Sequence, residues 1–255
     1  FLSTFNLCTM FVQRYGQGDR IFFGLHGWSG THATFAPLER FLPSGAMIVS
    51  PDLPGYGQSA PPREWTLDAL ADEIADEIET LDAAVTIIGN CSGALMALSA
   101  IELRPRLNER IERMVMIDPF AYLPWYFKLF VTPPFGEYAY LSTFANPIGR
   151  WITNLSLKGN RAEGTDLTGS FRGVDHRVSY RYLELMASID RIERWAGLRH
   201  PVKIIYGARS FGAIKTSVGM WQSVWPHASA HELPGAGHLP ILESTEELSR
   251  IAFSS

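Results

Sequence analysis

One stretch constrains the fold more than any other, because a run of β-branched and apolar residues leads directly into a turn with two glycines. Residues 85–88 are Val-Thr-Ile-Ile, residues 89–93 are Gly-Asn-Cys-Ser-Gly, and residues 94–103 have helical composition. The apolar run predicts a buried strand. The glycines permit a turn tight enough to fold the next helix back along that strand. Cys91 would then lie at the start of a helix, where free N–H groups favour an anion and hence the thiolate.

The segment from Gly89 to Gly93 resembles the nucleophile elbow of α/β hydrolases, usually Gly-x-Ser-x-Gly, with cysteine at the nucleophile's position. The resemblance implies that Cys91 is a catalytic nucleophile and that the N–H of Ser92 is one donor of an oxyanion hole. A structural alternative is open, since a free cysteine is often a small buried apolar side chain. The other parts of a catalytic site must therefore be sought along the chain.

A second motif, His26-Gly27-Trp28, follows the apolar run at residues 21–25. It resembles the His-Gly-x loop of α/β hydrolases, which implies that the N–H of Trp28 is the second oxyanion donor. The His26 ring is expected to brace this turn rather than to react, and it is placed among the substrate-binding residues. Upstream, residues 7–15 form a predicted strand that pairs with residues 21–25 as a hairpin.

The connection between the next two predicted strands indicates a parallel sheet. Those strands, residues 46–50 and 85–88, are joined by a helix with Thr66 as its N-cap and one apolar stripe. A crossover of this kind places helices on the faces of a parallel sheet. Asp52, at the start of a loop that resembles a structural turn of the family, is expected to organise that loop and not to serve as the catalytic acid.

The resemblance implies that His238 is the catalytic base. It follows a Gly-Ala-Gly turn after the strand predicted at residues 228–233. It also comes after Cys91, which matches the family's chain order of nucleophile first and histidine last. The alternative for His238 is an ordinary surface-loop histidine near the start of a helix.

The acid of the triad departs from the usual family pattern. Most members carry it a few residues after the strand predicted here to end at Gly207, where this chain has Ser210. A serine cannot supply the negative charge that stabilises an imidazolium. Some members place the acid one strand earlier, so Asp118 is the predicted acid; the alternative is a turn-forming Asp before a proline. Asp190 is a second, more distant candidate.

Between residues 120 and 190 the periodic pattern fails, and aromatic residues and prolines dominate the first half. The family inserts a cap at this point, so the resemblance implies an α/β-hydrolase core at residues 1–119 and 191–255 and a mainly helical cap at residues 120–190. Aromatic side chains of the cap, including Trp125 and Phe127, are expected to contact the substrate. The alternatives are that they pack the cap onto the core or touch a membrane surface.

Composition limits the partners. The net charge of −4 and the absence of a Lys/Arg run argue against nucleic acid. No apolar stretch has the length of a membrane span. The two cysteines, Cys8 and Cys91, fit a reducing compartment and thus the cytoplasm. The chain starts at Phe1 rather than Met. The presence of residues upstream of Phe1, including a cleaved leader, is therefore an open alternative.

These observations predict an acyl-transfer enzyme without a metal or cofactor, acting on a small-molecule or carrier-bound acyl substrate. Cys91 would attack an ester or thioester, His238 would move the proton and Asp118 would orient the histidine. Because an acyl-cysteine is itself a thioester, release to water (esterase or thioesterase) and release to another acceptor (acyltransferase or cyclase) both stay open. The aromatic cap predicts a bulky or long apolar acyl group.

Two alternatives to a natural cysteine enzyme are kept. The first is a catalytically impaired α/β-hydrolase-fold protein that binds a ligand, for which the loss at Ser210 would be the first sign. The second is a serine esterase in which position 91 has been changed to cysteine. Dienelactone hydrolases and polyhydroxyalkanoate synthases also carry a Gly-x-Cys-x-Gly elbow. This chain is much shorter than the synthases, and it has an aromatic inserted cap that simple dienelactone hydrolases lack.

Overall fold

The computed structural model describes residues 10–254, and these residues form a seven-stranded sheet. In chain order the strands are β1 (Val12–Gly16), β2 (Arg20–Leu25), β3 (Ala46–Pro51), β4 (Val85–Asn90), β5 (Ile111–Ile117), β6 (Val202–Gly207) and β7 (Ser229–Leu233). Their order across the sheet is β1-β3-β2-β4-β5-β6-β7. Strands β2 to β7 are parallel, and only β1 at the edge runs antiparallel to its neighbour β3. The predicted mostly parallel sheet is confirmed.

The predicted hairpin between the first two strands is wrong. Strand β3 lies between β1 and β2 and pairs with both of them. Strand β2 is buried along nearly its whole length, whereas β1 is mostly half-buried. A fully apolar strand gains most from a central position with neighbours on both sides, and the hairpin would have placed β2 nearer the edge. Residues 7–9 of the first predicted strand lie outside the described residues.

Helices cover both faces of the sheet, as the crossover predicted. They are α1 (Leu67–Glu79), α2 (Ser92–Leu103), α3 (Trp125–Lys128), α4 (Gly136–Tyr140), α5 (Pro147–Ser156), α6 (His176–Ser188), α7 (Gly212–Val224), α8 (Pro240–Glu243) and α9 (Thr245–Phe253). Thr66 caps α1 by accepting a hydrogen bond from the N–H of Ala69 at 3.2 Å. A 3-10 helix, His32–Phe41, lies between β2 and β3.

The core has two layers, one on each face of the sheet. Strand β4 contributes to both because its side chains alternate: Ile87 packs with α1, α2 and α7, and Ile88 packs with α9 and the 3-10 helix. Residues 92–101 of α2 are all buried. The strand and helix that flank Cys91 are therefore buried along most of their length, and tight packing holds the turn between them in place.

Residues 118–201 lie between β5 and β6 and are here called the inserted segment. They contain α3 to α6, and the predicted cap at residues 120–190 falls within them. Tyr140, Phe144 and Phe171 are buried in a cluster of their own. Other aromatic and aliphatic side chains of the segment face solvent, among them Trp125, Phe135, Tyr138 and Trp151. Among residues 10–254, no helix combines the length and the apolar character needed to cross a membrane.

Candidate active site

Cys91 occupies a strained turn between β4 and α2. Its φ and ψ are 50° and −117°, a left-handed conformation that is costly for a residue with a side chain. Its N–H donates to the carbonyl oxygen of Ile117 at 2.8 Å, which ties the turn to β5. A Cβ at Gly89 would lie 2.4 Å from the Cα of Ala94, and one at Gly93 would lie 2.1 Å from the carbonyl oxygen of Leu25. Glycine is therefore required on both sides of the cysteine.

The two backbone donors predicted for an oxyanion hole flank Cys91. Ser92 is the first residue of α2, so its N–H is one of the unpaired donors of a helix N-terminus. Gly27 packs against Cys91: a Cβ at position 27 would lie 3.0 Å from the Cβ of Cys91. Within residues 10–254 neither the Trp28 N–H nor the Ser92 N–H donates to another protein atom. Both donors are free to bind an oxyanion.

His238 and Asp118 meet as predicted, although 120 positions separate them in sequence. Nδ1 of His238 lies 2.7 Å from Oδ2 of Asp118, and the carboxylate is completely buried. Oδ1 of Asp118 accepts from the N–H of Gly207 at 3.0 Å. Since Nδ1 is engaged by the carboxylate, the other ring nitrogen is left for Cys91, which lines the same cavity as His238. The imidazole of His238 is thus bonded to the buried carboxylate and shares a cavity wall with Cys91.

Ser210, which stands where an acid is usual, contacts the carboxylate of Asp118. Its hydroxyl donates a short hydrogen bond to Oδ2 of Asp118, the oxygen that also binds His238. The hydroxyl lies 3.5 Å from Nδ1 of His238, too far to compete with the carboxylate for that nitrogen. Thus the position at which the resemblance implies an acid holds a hydroxyl that donates to the carboxylate of Asp118. Asp190 is exposed and lies 3.8 Å from Arg191, away from this cluster.

The neighbours of His238 set its charge. Burial lowers the pKa of His238, but hydrogen bonds and charge interactions with Asp118 and Cys91 outweigh it and raise the pKa from 6.5 to about 10. The ring is therefore an imidazolium at neutral pH. Phe211 and Phe120 flank it, with ring centroids 4.6 and 5.7 Å from the imidazole.

Two residues that the sequence did not single out hold the histidine loop. The carbonyl oxygen of Asn160 accepts from the N–H of His238 at 2.9 Å. The carboxylate of Glu243 accepts from the N–H of Ala162 at 2.8 Å and, at a shorter distance, from that of Gly237. Asn160 and Ala162 belong to the inserted segment. Asn160 is bonded directly to His238, and Ala162 is bonded to Glu243, which also binds Gly237. No periodicity or motif in the sequence marked Asn160 or Glu243.

His26 does not contact the cavity next to Cys91, so its prediction as a substrate-binding residue is wrong. The ring is fully buried. Its Nε2 accepts from the N–H of Leu53 at 3.0 Å, which leaves the proton on Nδ1 to donate to the carbonyl oxygen of Gly27 at 2.9 Å. The expected bracing role is the one that the contacts show. Asp52 organises its loop as predicted, accepting from the N–H groups of His32 at 2.6 Å and Gln58 at 2.9 Å.

This buried histidine makes the fold sensitive to acid. Burial lowers the pKa of His26 from 6.5 to about 4, with smaller opposing effects from Gly27 and Asp52. In the unfolded chain His26 binds a proton below about pH 6.5, whereas in the folded protein it does so only near pH 4. The contribution of His26 to stability is therefore fully present above about pH 6.5 and is lost as the pH falls towards 4. The expected loss is about 3 kcal/mol of unfolding free energy. Denaturant unfolding at pH 7 and pH 4 should show it in the parent and not in His26→Gln; equal pH dependence in both would contradict it.

A cavity of about 850 Å³ opens beside Cys91, between the core and the inserted segment. Cys91, His238, Trp28, Phe120 and Phe127 all contribute to its wall. Hydroxyl and amide groups also line it, including those of Thr153, Ser156, Asn160, Thr168 and Ser170. A ligand in this cavity would touch both the thiol and the imidazole.

Phe127 lines this cavity, but Trp125 does not. Trp125 is 72% exposed on the outer face of α3, so its prediction as a substrate contact is wrong. The two residues are two positions apart on α3, where side chains point in different directions, and the sequence alone could not decide which one faces inward.

Trp28 links its loop to the inserted segment. Its indole N–H donates to the carbonyl oxygen of Ser179 on α6 at 2.7 Å. Its ring packs edge-to-face on Phe127, Phe144 and Phe171, with centroids 4.8 to 5.6 Å apart. This aromatic packing holds the loop that follows β2 and packs against Cys91 through Gly27. Within the part of the chain that the structure describes, no group of His, Cys, Asp or Glu side chains is arranged to hold a metal ion.

A mostly parallel sheet with helices on both faces, a strained turn after a central strand and a histidine loop after the last strand define the α/β hydrolase class. Comparison with known sequences agrees: the profile of the alpha/beta hydrolase family matches residues 22–251, and the chain belongs to this family.

Individual relatives extend the comparison. A pimeloyl-[acyl-carrier protein] methyl ester esterase of Aromatoleum aromaticum is 26% identical over 242 residues, which are 88% of this chain and 92% of that protein. Among solved structures, the enol-lactonase from Burkholderia xenovorans has a TM-score of 0.76 and 15% identity over 95% of this chain and 94% of that one. A bromoperoxidase from Bacillus anthracis has a TM-score of 0.75 and 17% identity over 94% and 92%. At these identities the solved structures show the fold alone.

Proposed function

We propose that the protein is an acyl-transfer enzyme that cleaves an ester or thioester with an apolar acyl group through an acyl-cysteine intermediate. The observation that carries the proposal is the imidazole of His238, which lies 2.7 Å from the buried carboxylate of Asp118 and lines one cavity with Cys91. A thiol next to an imidazolium and a helix N-terminus is suited to nucleophilic attack.

In the first step the thiolate of Cys91 attacks the carbonyl carbon, and the C=O electron pair moves to the oxygen. The N–H groups of Trp28 and Ser92 bind this oxyanion, which develops only as the reaction proceeds. When the carbonyl re-forms, the bond to the leaving alcohol or thiol breaks. The leaving group takes a proton from the imidazolium of His238, which lines the same cavity.

The second step uses the change that acylation makes to the histidine. Hydrogen bonding and charge interaction with Cys91 are among the causes that hold the pKa of His238 near 10. Once the sulfur carries an acyl group, its negative charge is gone and the pKa of His238 falls. The ring can then accept a proton from water, which attacks the acyl-cysteine and releases the acid. An alcohol, amine or thiol could replace water as the acceptor.

The relatives support ester cleavage as the reaction class. The relative from Aromatoleum aromaticum is named as a methyl ester esterase that acts on pimeloyl-[acyl-carrier protein]. The similarity to this chain extends over 92% of that protein's length. The 850 Å³ cavity has room for a large leaving group and offers hydroxyl and amide partners to it. A small-molecule ester and a carrier-bound acyl group both fit this description.

Intact-protein mass spectrometry is the direct test. The protein is incubated with a panel of aryl esters and acyl thioesters beside Cys91→Ala, which preserves the turn but lacks the sulfur. An increase equal to the mass of the acyl group is expected on the parent alone. An adduct on Cys91→Ala would place the acylation elsewhere. No adduct and no product with any panel member would instead favour a ligand-binding protein.

A further inference from the structure

Helix α5 of the inserted segment is amphipathic, but its apolar side faces solvent. Four apolar side chains recur at helical spacing along one side of the helix and are each more than half exposed: Ile148, Trp151, Ile152 and Leu155. These four side chains are here called the α5 stripe. A surface helix of a globular protein normally turns such a stripe towards the core. The orientation of α5 is therefore the reverse of the usual one.

The polar side of α5 is the side that the rest of the protein covers. Thr153 and Ser156 line the 850 Å³ cavity. The side-chain oxygen of Asn154 accepts from the N–H of Leu167 at 3.0 Å. The guanidinium of Arg150 donates to two backbone carbonyl oxygens at 2.8 and 2.9 Å. Rotation of the helix to bury the stripe would break these hydrogen bonds, so the stripe stays exposed unless a partner covers it.

Neighbouring elements of the inserted segment add further exposed apolar side chains. Helix α4 packs against the turns at residues 129–131 and 141–145, and the second turn packs against α5. Four large side chains in or beside α3 and α4 are more than half exposed: Trp125, Leu129, Phe135 and Tyr138. A large aromatic side chain offers roughly 150–250 Å² of surface. The eight side chains together thus exceed the ~300–600 Å² of the largest apolar patch on a typical monomer, which indicates an interaction surface.

The charges of this region favour an anionic partner. Residues 120–158 contain three cationic side chains, Lys128, Arg150 and Lys158, and one anionic side chain, Glu137, which gives a net charge of +2. The whole chain carries −4. Lys128 ends α3, Lys158 follows shortly after α5, and both are exposed. Exposed lysines beside an apolar surface that contains Trp and Tyr are typical of proteins that bind the interface of an anionic bilayer.

The form of the surface favours lipid over a folded protein. Residues that anchor protein–protein interfaces cluster in well-packed pockets. The eight exposed side chains project from their helices and turns, and none of them lines the cavity beside Cys91. A fluid lipid surface adapts to projecting side chains and needs no matching pocket. A symmetric pair of chains joined through this surface would in addition bring lysines of equal charge towards each other.

We propose that the α5 stripe, bordered by Lys128 and Lys158, is a docking surface for an anionic lipid bilayer, on which the protein lies without crossing it. The aromatic composition of the inserted segment left contact with a membrane surface as one alternative, and the outward direction of Trp125 and Trp151 now favours it. Docking is a binding property and does not depend on the proposed reaction.

Vesicle flotation measures this binding directly. The protein is mixed with vesicles of phosphatidylcholine alone, or of phosphatidylcholine and phosphatidylglycerol in equal parts, and the floating fraction gives the partition coefficient. We expect the protein to float with the mixed vesicles at low salt and to float less with phosphatidylcholine alone. Added salt should reduce this difference, because it screens the charges and leaves the apolar contacts. Absence of flotation with both kinds of vesicle would overturn the proposal.

Leu155→Ser and Leu103→Ser form a matched pair of variants. Leu103 is also an exposed leucine, but it lies at the end of α2 remote from Cys91 and outside the inserted segment. Leu155→Ser should lower the partition coefficient about fivefold or more, since the bilayer no longer buries that side chain. Leu103→Ser should leave the coefficient unchanged. Both side chains face solvent, so the unfolding midpoints should match that of the parent. Equal partition coefficients in the two variants would contradict docking through the stripe.

Replacement of the two lysines tests the choice of an anionic surface. Lys128→Gln and Lys158→Gln should each lower binding to the mixed vesicles by about fivefold. Binding to phosphatidylcholine alone should stay the same. An equal loss with both kinds of vesicle, or no loss with either, would overturn the assignment to an anionic bilayer.

Sedimentation equilibrium of the same samples identifies the other possible occupants. A parent that dimerises without floating, together with a monomeric Leu155→Ser, would show that a second copy covers the stripe and would overturn the proposal. An acidic protein as the true partner would likewise leave the vesicles unbound.

Discussion

Replacement of His238 with glutamine is expected to lower kcat by about 10³- to 10⁴-fold, since general acid–base catalysis and the activation of the nucleophile are lost together. Glutamine is neutral and of similar length, so it can still bond to Asp118 but cannot carry the proton to the leaving group. The imidazolium that faces Cys91 disappears as well. Both half-reactions of the proposed cycle therefore slow down.

The measurement is kcat with a good substrate, together with the rate of acyl-adduct formation followed by mass spectrometry. Both should fall for His238→Gln, because the thiol has lost its cationic partner. His231→Gln is a suitable control. His231 lies on the edge strand β7, and its ring forms a hydrogen bond with the hydroxyl of Ser229. A loss of less than tenfold in His238→Gln would show that another group is the base.

Loss of the acid is expected to have the second-largest effect and to be partly reversible from a different position. Asp118→Asn should lower kcat by roughly tenfold to a hundredfold, well below the ~10⁴-fold typical of a serine triad, because a thiolate–imidazolium pair depends less on the acid. The oxygen of Ser210 already lies within 3.5 Å of Nδ1 of His238. Adding Ser210→Asp to Asp118→Asn should therefore restore activity at least severalfold.

The pKa of His238 supplies an independent readout. The hydrogen bond with Asp118 is the first of the causes that raise this pKa to about 10. In Asp118→Asn the pKa should fall, and in the double variant it should rise again, as followed by the NMR shift of the ring Hε1 proton. Ser210→Ala is the control, since it removes a partner of the carboxylate without removing its charge. An unchanged pKa in Asp118→Asn would contradict the assigned role of Asp118.

The raised pKa also has a consequence for stability. A histidine whose pKa is higher in the folded state stabilises the fold fully below its ordinary pKa of 6.5, and this contribution is lost as the pH rises through about 10. His26 acts in the opposite direction, because its lowered pKa removes stability as the pH falls towards 4. The two histidines thus favour the folded state most strongly at intermediate pH.

Local sequence patterns were sufficient for the sheet and for the turn at its centre. The alternation of apolar strands with a capped amphipathic helix predicted parallel strands, and the glycines around Cys91 predicted the elbow. These features depend on contacts between residues close in sequence or on backbone geometry that few residue types allow. The hairpin failed because strand order depends on which neighbours bury β2, and no local pattern contains that information.

The candidate site divides in the same way. The sequence by itself determined the elbow and, through the resemblance, marked Cys91, His238 and the gap at Ser210. Only the tertiary structure decided that Asp118 reaches His238, that Ser210 binds that carboxylate, and that His26 is buried while Trp125 faces solvent. The physical reason is that the turn is set by backbone sterics over five residues, whereas the acid, the pocket walls and the direction of each aromatic ring are set by packing between segments up to 120 residues apart.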